Sequence, residues 1–230
     1  MKKIDIYRQA IKPYLSGEAK TCSYCDCIKP LVIYYGESFY ITVAIGSYMP
    51  GYIQLCSYEH RTSATGILKS EYDEFEKILL AIRKSFKKVY GNYGIYFEHG
   101  QAGTCCWTGN YVNSLCHHMH IHCLPVNIDI HPTVESLFHD YYEVCDIQQM
   151  IQIRKDRLKG GPYLFFSSAD NKKYMYNVVN QNVPRQFLRR CVAERLGMAD
   201  KADWIKYPGV DYYEETINML EDVLKRELEG

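Results

Sequence analysis

Three histidines alternate with apolar residues in the segment HMHIHCL, residues 118–124, and this pattern limits what that part of the chain can form. A repeat of two residues is the period of a β-strand, in which alternate side chains point to the same face. His118, His120 and His122 therefore face one side of a predicted strand, while the residues between them enter a core. The chain has eight histidines in all, so three on one strand face indicate a site.

Three interpretations of this strand stay open from the residues alone. The simplest is a strand that turns polar residues to water, although three alternating histidines rarely arise there by chance. In the second interpretation all three histidines share a metal ion. In the third, a neutral imidazole attacks a phosphorus centre while neighbouring groups hold it in the correct tautomer.

The composition narrows the class of protein. The chain has 230 residues, with 27 basic and 27 acidic side chains, so its formal net charge is zero. A generic nucleic-acid binder needs an excess of cations, although a local basic patch stays open here. We expect no membrane contact, because no apolar run reaches about 18 residues and the N-terminus lacks the apolar core of a signal peptide. We therefore expect a cytoplasmic protein whose ten cysteines are metal ligands, buried residues, or both.

Helix and strand patterns divide the chain into two parts. Residues 70–90 predict the clearest helix, with apolar residues at helical spacing, acids in the first turn and lysines in the last. The sequence changes in character beyond about residue 130. There, residues 136–158 predict a helix, residues 160–179 predict a β-hairpin around an Asp-Asn turn, and two further helices follow.

The combination of motifs resembles the histidine triad (HIT) superfamily of nucleotide hydrolases and transferases. The signature of that family is His-φ-His-φ-His-φ-φ, with φ apolar, and residues 118–124 match it. CSYC, residues 22–25, resembles the Cys-x-x-Cys of zinc-bearing members. MPGYIQLCSYEHRTS, residues 49–63, resembles their strand-then-histidine segment, and FEHG, residues 97–100, resembles the segment before the triad. The order and spacing agree over residues 20–130.

The resemblance implies an α+β fold with a HIT-like antiparallel sheet flanked by helices. Residues 1–135 would form this nucleotide-binding and catalytic domain. Residues 136–230 would form a C-terminal α/β extension, consisting of a helix, a β-hairpin and two helices, as in larger bacterial members. Two-fold association is common in the family, so a homodimer is among the expectations.

The resemblance also implies an enzyme that acts on a nucleotide substrate. His120, the middle histidine, would attack the α-phosphate and form a nucleotidyl-histidine intermediate, and His122 would contact the phosphate. A backbone carbonyl would hold the other nitrogen of His120, so that the attacking nitrogen stays unprotonated. The expected substrate contacts are the polar residues before the triad: Glu98, His99, Asn113 and Ser114.

A structural zinc site is the cofactor that the resemblance implies. Cys22, Cys25, His60 and His118 match the ligand positions of the zinc-bearing members. Four nitrogen or sulfur ligands in a tetrahedron make a closed Zn²⁺ site. Many members lack zinc, so the alternative is that these thiols are ordinary buried or surface residues.

Several alternatives compete with a hydrolase of phosphoramidates, dinucleoside polyphosphates or similar substrates. One is a nucleotidyltransferase of the same family, and another is a nucleotide- or RNA-binding module with little turnover. A metal-dependent hydrolase that uses all three histidines is a third. Nucleic-acid binding stays open because Arg185, Arg189 and Arg190 fall near one helix face, although a solvated basic helix is the favoured interpretation.

Overall fold

The computed structural model describes residues 2–101 and 117–230 of the chain. Within these residues, eight strands pair into one sheet. The strands are β1 (Val32–Tyr35), β2 (Phe39–Val43), β3 (Ile53–Ser57), β4 (Ile95–Gly100), β5 (His120–Leu124), β6 (Tyr141–Glu143), β7 (Tyr163–Ser167) and β8 (Lys173–Asn177). The helices are α1 (Lys3–Ser16), α2 (Tyr72–Tyr90), α3 (His131–Glu135), α4 (Ile147–Asp156), α5 (Phe187–Arg195) and α6 (Tyr213–Glu229).

The strand order in the sheet is β1-β2-β3-β5-β4-β7-β8-β6, and every pairing is antiparallel. This arrangement confirms the predicted α+β class with an antiparallel sheet flanked by helices. Strand β4 precedes the predicted boundary at residue 135 and pairs directly with β7, which follows it. The predicted hairpin is present as β7 and β8, so the C-terminal region extends the same sheet.

Two apolar cores cover the two faces of the sheet. One core packs α1, α2, α4 and α6 against one face, and the other packs α3 and α5 against the opposite face. Strand β5 contributes Ile121 and Cys123 to the first core, and both are buried. Because side chains alternate along a strand, His120 and His122 face the side of α5. The predicted alternation is thus confirmed for His120 and His122, whereas His118 lies just before the strand.

Helix α2 forms as its sequence predicts. Phe75, Ile78 and Ile82 recur at a spacing of three and four residues, and all three are buried in the first core. Acidic residues lie in the first turn and lysines in the last, where they complement the helix dipole. Gly91 ends the helix with a φ of 78°, a left-handed conformation that glycine adopts without a steric cost.

The predicted helix over residues 136–158 is wrong in its first half. Strand β6 occupies residues 141–143 and pairs with β8, so that Tyr141 lies opposite Tyr176. Tyrosine favours strands, and an available sheet edge overrides the helical pattern of the surrounding residues. Helix α4 begins only after Asp146, whose carboxylate accepts a hydrogen bond from the Gln149 backbone N–H at 2.8 Å. In the part of the chain that the structure describes, no helix is long and apolar enough to cross a membrane.

Candidate active site and metal centre

The triad strand lies in the middle of the sheet and forms the floor of a pocket. Strand β5 is hydrogen-bonded between β3 and β4. The pocket has a volume of about 500 Å³, and both parts of the chain line it. His120 and His122 contribute from β5, and their ring centroids are 4.7 Å apart. Phe187 and Trp204 contribute from the C-terminal region. The two regions that the sequence separates at residue 135 therefore share one candidate site.

His120 is held in one tautomer by the backbone. Its Nδ1 lies 2.7 Å from the carbonyl oxygen of His118, so Nδ1–H donates and Nε2 keeps its lone pair. This is the carbonyl contact that the resemblance implies. The ring of Tyr24 stacks on the imidazole, with centroids 4.6 Å apart. Burial lowers the pKa of His120 from 6.5 to about 4, with smaller effects from neighbouring groups. At neutral pH the ring is therefore an uncharged base with a free Nε2, as a nucleophile requires.

His122 is held by side chains rather than by the backbone. Its Nδ1 lies 2.7 Å from the Tyr52 hydroxyl and 3.3 Å from the Gln54 side-chain nitrogen. The ring of Phe97 stacks on it at 4.6 Å. Burial, followed by repulsion from His120 in its protonated form and from Arg189, lowers the pKa of His122 well below its usual value. The ring is therefore neutral at physiological pH.

Two of these partners could have been found in the sequence. Tyr52 and Gln54 alternate with the apolar Ile53 and Leu55, so they share the face of β3 that meets the triad. Gln54 also pairs directly with His122 in the strand register. The signal is polar alternation on the strand that is paired with the triad.

Four nitrogen and sulfur donors converge beside the triad. The donor atoms of Cys22, Cys25, His60 and His118 all lie within 4.8 Å of one another. The Cys25 sulfur is 2.9 Å from Nδ1 of His60 and 3.5 Å from Nδ1 of His118. The Cys22 sulfur is 3.8 Å from the same nitrogen of His118. The predicted ligand set is thus brought together, and it could hold a metal ion.

The hydrogen bonding of His118 fits a metal ligand. Its Nε2 lies 2.8 Å from the carbonyl oxygen of Ser57, so Nε2–H donates and the Nδ1 lone pair faces the two sulfurs. Ligating histidines usually donate their other N–H to a carbonyl or carboxylate in this way, which fixes the ring orientation. A set of two cysteines and two histidines is typical of a closed tetrahedral zinc site.

The predicted substrate contacts fall in three places. His99 lines the pocket, and burial lowers its pKa to about 4. Glu98 is 2 % exposed, and its two oxygens accept hydrogen bonds from the Ala64 backbone N–H at 2.8 Å and the Tyr163 hydroxyl at 2.5 Å. Ala64 and Tyr163 both belong to the core on the opposite face of the sheet, and Glu98 is not among the residues that line the pocket. Asn113 and Ser114 lie outside the described residues.

The prediction of a solvated basic helix is wrong for Arg189. This side chain is 4 % exposed and lines the pocket, whereas Arg185 and Arg190 are exposed. The sequence carries a signal for this, since Val192 and Ala193 follow at helical spacing and are fully buried. Arg189 thus lies on the apolar side of α5 rather than on a solvated face.

Sequence comparison gives weak relatives that match most of the chain. No protein-family profile matches it. Zinc finger CCCH domain-containing protein 59 of Oryza sativa subsp. japonica is 25% identical over 219 residues, which are 88% of this chain and 33% of that protein. CWF19-like protein 1 of Xenopus laevis is 22% identical over 197 residues, which are 80% of this chain and 34% of that protein. The chain therefore spans about a third of the length of these two relatives.

Structure comparison gives partial similarity to HIT proteins. A hypothetical histidine triad nucleotide-binding protein from Sulfolobus tokodaii is 16% identical and has a TM-score of 0.34, over 46% of this chain and 68% of that chain. A HIT family hydrolase from Clostridium thermocellum is 21% identical and has a TM-score of 0.31, over 46% of this chain and 90% of that chain. The chain is thus similar to HIT-family proteins over less than half of its length.

Proposed function

We propose that this chain is a nucleotide hydrolase of the histidine triad type, which releases a nucleoside monophosphate through a nucleotidyl-histidine intermediate. The observation that carries the proposal is the hydrogen bond from His120 Nδ1–H to the His118 carbonyl. It leaves the Nε2 lone pair of a neutral imidazole in a pocket, and the neighbouring His122 has the Tyr52 hydroxyl and the Gln54 side-chain nitrogen beside its Nδ1. His120 thus presents a lone pair for attack on phosphorus. His122 would present an N–H that donates a hydrogen bond to a phosphate oxygen.

The reaction would run in two displacements. In the first, Nε2 of His120 forms a bond to the α-phosphorus, and the bond from phosphorus to the leaving group breaks. The leaving group departs with the electron pair and takes up a proton from solvent. In the second, water attacks the same phosphorus and releases a proton to solvent, the bond from phosphorus to Nε2 breaks with its electron pair returning to Nε2, and a nucleoside monophosphate is released. Nε2–H of His122 would donate to a non-bridging oxygen as negative charge develops there.

This chemistry is compatible with more than one class of nucleotide substrate. The leaving group would be an amine, as in a phosphoramidate, or a nucleoside phosphate, as in a dinucleoside polyphosphate. A pocket of about 500 Å³ falls in the size range of small-molecule and cofactor sites. Transfer to an acceptor other than water would use the same first step, so the enzymatic alternative shares the intermediate.

We also propose that the Cys22, Cys25, His60 and His118 cluster holds Zn²⁺ in a structural role. The donor set and the Ser57 contact of His118 support this assignment. The ion would hold the N-terminal cysteine segment against the triad. It would also fix the backbone of His118, whose carbonyl sets the tautomer of His120. In this role the ion supplies no reacting group.

The test is intact-protein mass spectrometry after rapid acid-free quenching with a panel of phosphoramidates and dinucleoside polyphosphates. The wild-type protein is expected to gain the mass of one nucleoside monophosphate, or to release that product, and His120→Ala is expected to do neither. His139→Ala is the matched control, because His139 is exposed and lies outside the pocket lining. Adduct or product formation by His120→Ala at the wild-type rate would overturn the proposal.

A further inference from the structure

A chain of hydrogen bonds connects the C-terminal region to the triad. Nη1 of Arg189 lies 3.1 Å from the Tyr52 hydroxyl oxygen. That hydroxyl lies 2.7 Å from Nδ1 of His122. Arg189 belongs to α5, Tyr52 precedes β3, and His122 lies on β5. Three parts of the chain that are distant in sequence therefore meet along one line of polar contacts.

The hydrogen bonds that join Arg189, Tyr52 and His122 run in one direction. A guanidinium donates and never accepts, so the Tyr52 oxygen accepts from Arg189. Among the described residues, Nδ1 of His122 is the one acceptor in contact with the Tyr52 hydroxyl, so the hydroxyl proton is directed to it. The Gln54 side-chain nitrogen also donates toward that Nδ1, at 3.3 Å. With its Nδ1 accepting, the neutral ring carries its proton on Nε2.

The setting of Arg189 fixes the position of the guanidinium. Nε donates to the Ala202 carbonyl at 2.6 Å, and Nη2 donates to the Gly46 carbonyl. The guanidinium carbon lies 4.8 Å from the centroid of the Tyr48 ring and 5.3 Å from that of Tyr52. These hydrogen-bond partners are neutral oxygens, and the contacts with the rings are of the cation–π kind. These contacts hold the guanidinium in place beside the Tyr52 hydroxyl.

Gly46 allows this approach. Its φ of 84° is left-handed, and a Cβ there would meet the Cβ of Trp204 and lie 2.9 Å from Nη2 of Arg189. Only glycine fits both the conformation and the space. Glycine at position 46 therefore allows the loop carbonyl to come within hydrogen-bond distance of the guanidinium.

We propose that Arg189 is a positioning residue that acts through Tyr52 to hold His122 in the tautomer with its proton on Nε2. This inference rests on the proposed function in one respect, which is that the Nε2–H of His122 donates to the substrate phosphate. The C-terminal region then serves the chemistry directly, because it supplies the residue that orders the third histidine of the triad. The competing interpretation is that Arg189 only fastens α5 to the neighbouring loops.

The test measures the tautomer of His122 directly. Two-bond ¹H–¹⁵N spectra of the full chain labelled at histidine distinguish a proton on Nε2 from one on Nδ1, and the signal of His122 is assigned by its loss in His122→Ala. The wild-type protein is expected to show His122 with its proton on Nε2. In Tyr52→Phe one donor is lost while Gln54 remains, so the Nδ1–H to Nε2–H ratio is expected to rise about five- to tenfold, as one neutral hydrogen bond implies.

The matched control is Tyr48→Phe. Tyr48 is fully buried and also lies against the guanidinium, yet its hydroxyl has no hydrogen-bond partner among the described residues. Its removal is expected to leave the tautomer ratio of His122 unchanged. Arg189→Met frees the Tyr52 hydroxyl to turn and accept from Nδ1, so it is expected to shift the ratio in the same direction as Tyr52→Phe. If Arg189→Met does not fold, Tyr52→Phe carries the test.

Measurements of kcat distinguish a residue that positions His122 from one that only holds α5 against the neighbouring loops. Across the wild type and these variants, kcat is expected to follow the fraction of His122 with its proton on Nε2. A wild-type His122 with its proton on Nδ1, or a ratio that does not change in Tyr52→Phe, would overturn the inference. A fall in kcat for Arg189→Met with an unchanged ratio would favour fastening. Absence of any nucleotidyl adduct in the wild type would refute the proposed function, whereas the spectra would still decide the tautomer.

Discussion

Glu98 makes the stability of this protein depend on pH in a direction that is unusual for a carboxyl group. Its side chain is 2 % exposed, and burial is the largest influence on it. Burial raises its pKa from 4.5 to about 7, against the opposing effect of the Tyr163 and Ala64 hydrogen bonds. Glu98→Gln is the informative change, because a glutamine amide resembles the protonated carboxyl in shape. Its oxygen can accept from Ala64, and its nitrogen can donate to the Tyr163 oxygen.

The magnitude follows from this pKa. Each tenfold change in proton affinity between the folded and unfolded states corresponds to about 1.4 kcal/mol. A carboxyl with a pKa of about 7 when folded and 4.5 when unfolded therefore stabilises the folded state more at low pH. This contribution is fully present below pH 4.5 and is lost as the pH rises to about 7. The difference in unfolding free energy between wild type and variant is expected to change by about 3 kcal/mol over that range.

Urea unfolding of both proteins between pH 4 and pH 8 measures this difference. The titration of every other group contributes to both proteins and cancels from the comparison. Glu143→Gln is the control, since Glu143 is exposed on β6, and its curve is expected to run parallel to that of the wild type. The reasoning is refuted if the difference between wild type and Glu98→Gln stays constant with pH, or if the wild type gains stability over the variant as the pH rises.

Two further predictions concern the metal centre and the loop near α5. The purified protein is expected to contain zinc by elemental analysis; Cys25→Ser is expected to lose it, and Cys145→Ser, which removes an exposed thiol outside the cluster, is expected to keep it. Zinc retained in Cys25→Ser would contradict the ligand set. Gly46→Ala is expected to lower the unfolding free energy by more than about 2 kcal/mol, because its Cβ would overlap Trp204. Gly91→Ala, with a similar φ and nothing within 4 Å, is expected to cost about 1 kcal/mol, and equal losses would refute the steric argument.

The sequence predicted those features that a local period or a motif determines. The alternation of His118, His120 and His122 was enough to orient the triad, because side-chain direction on a strand depends only on the parity of the position. The cluster of Cys22, Cys25, His60 and His118 followed from the resemblance, since nothing local brings residues 22 and 118 together. The structure does bring these four together.

Features that depend on tertiary partners were missed. Strand β6 lies inside a segment with a helical pattern, and it forms because the edge of β8 is available to pair with it. Charge alone predicts a solvated basic face for Arg189, because it does not show that loops at Gly46 and Ala202 offer carbonyl oxygens to the guanidinium. The residues that order His122 also come from elements far apart in the sequence, so no single motif contains them.

The stereochemical course at phosphorus tests the central claim, that catalysis proceeds through a covalent bond to His120. The substrate is a nucleoside phosphoramidate or dinucleoside polyphosphate with a chiral α-phosphorothioate, and hydrolysis takes place in isotopically labelled water. Two in-line displacements predict overall retention of configuration, because each step inverts the centre once. Retention does not require the intermediate to accumulate. Overall inversion would show a single direct attack by water, and it would contradict the assignment of His120 as the nucleophile.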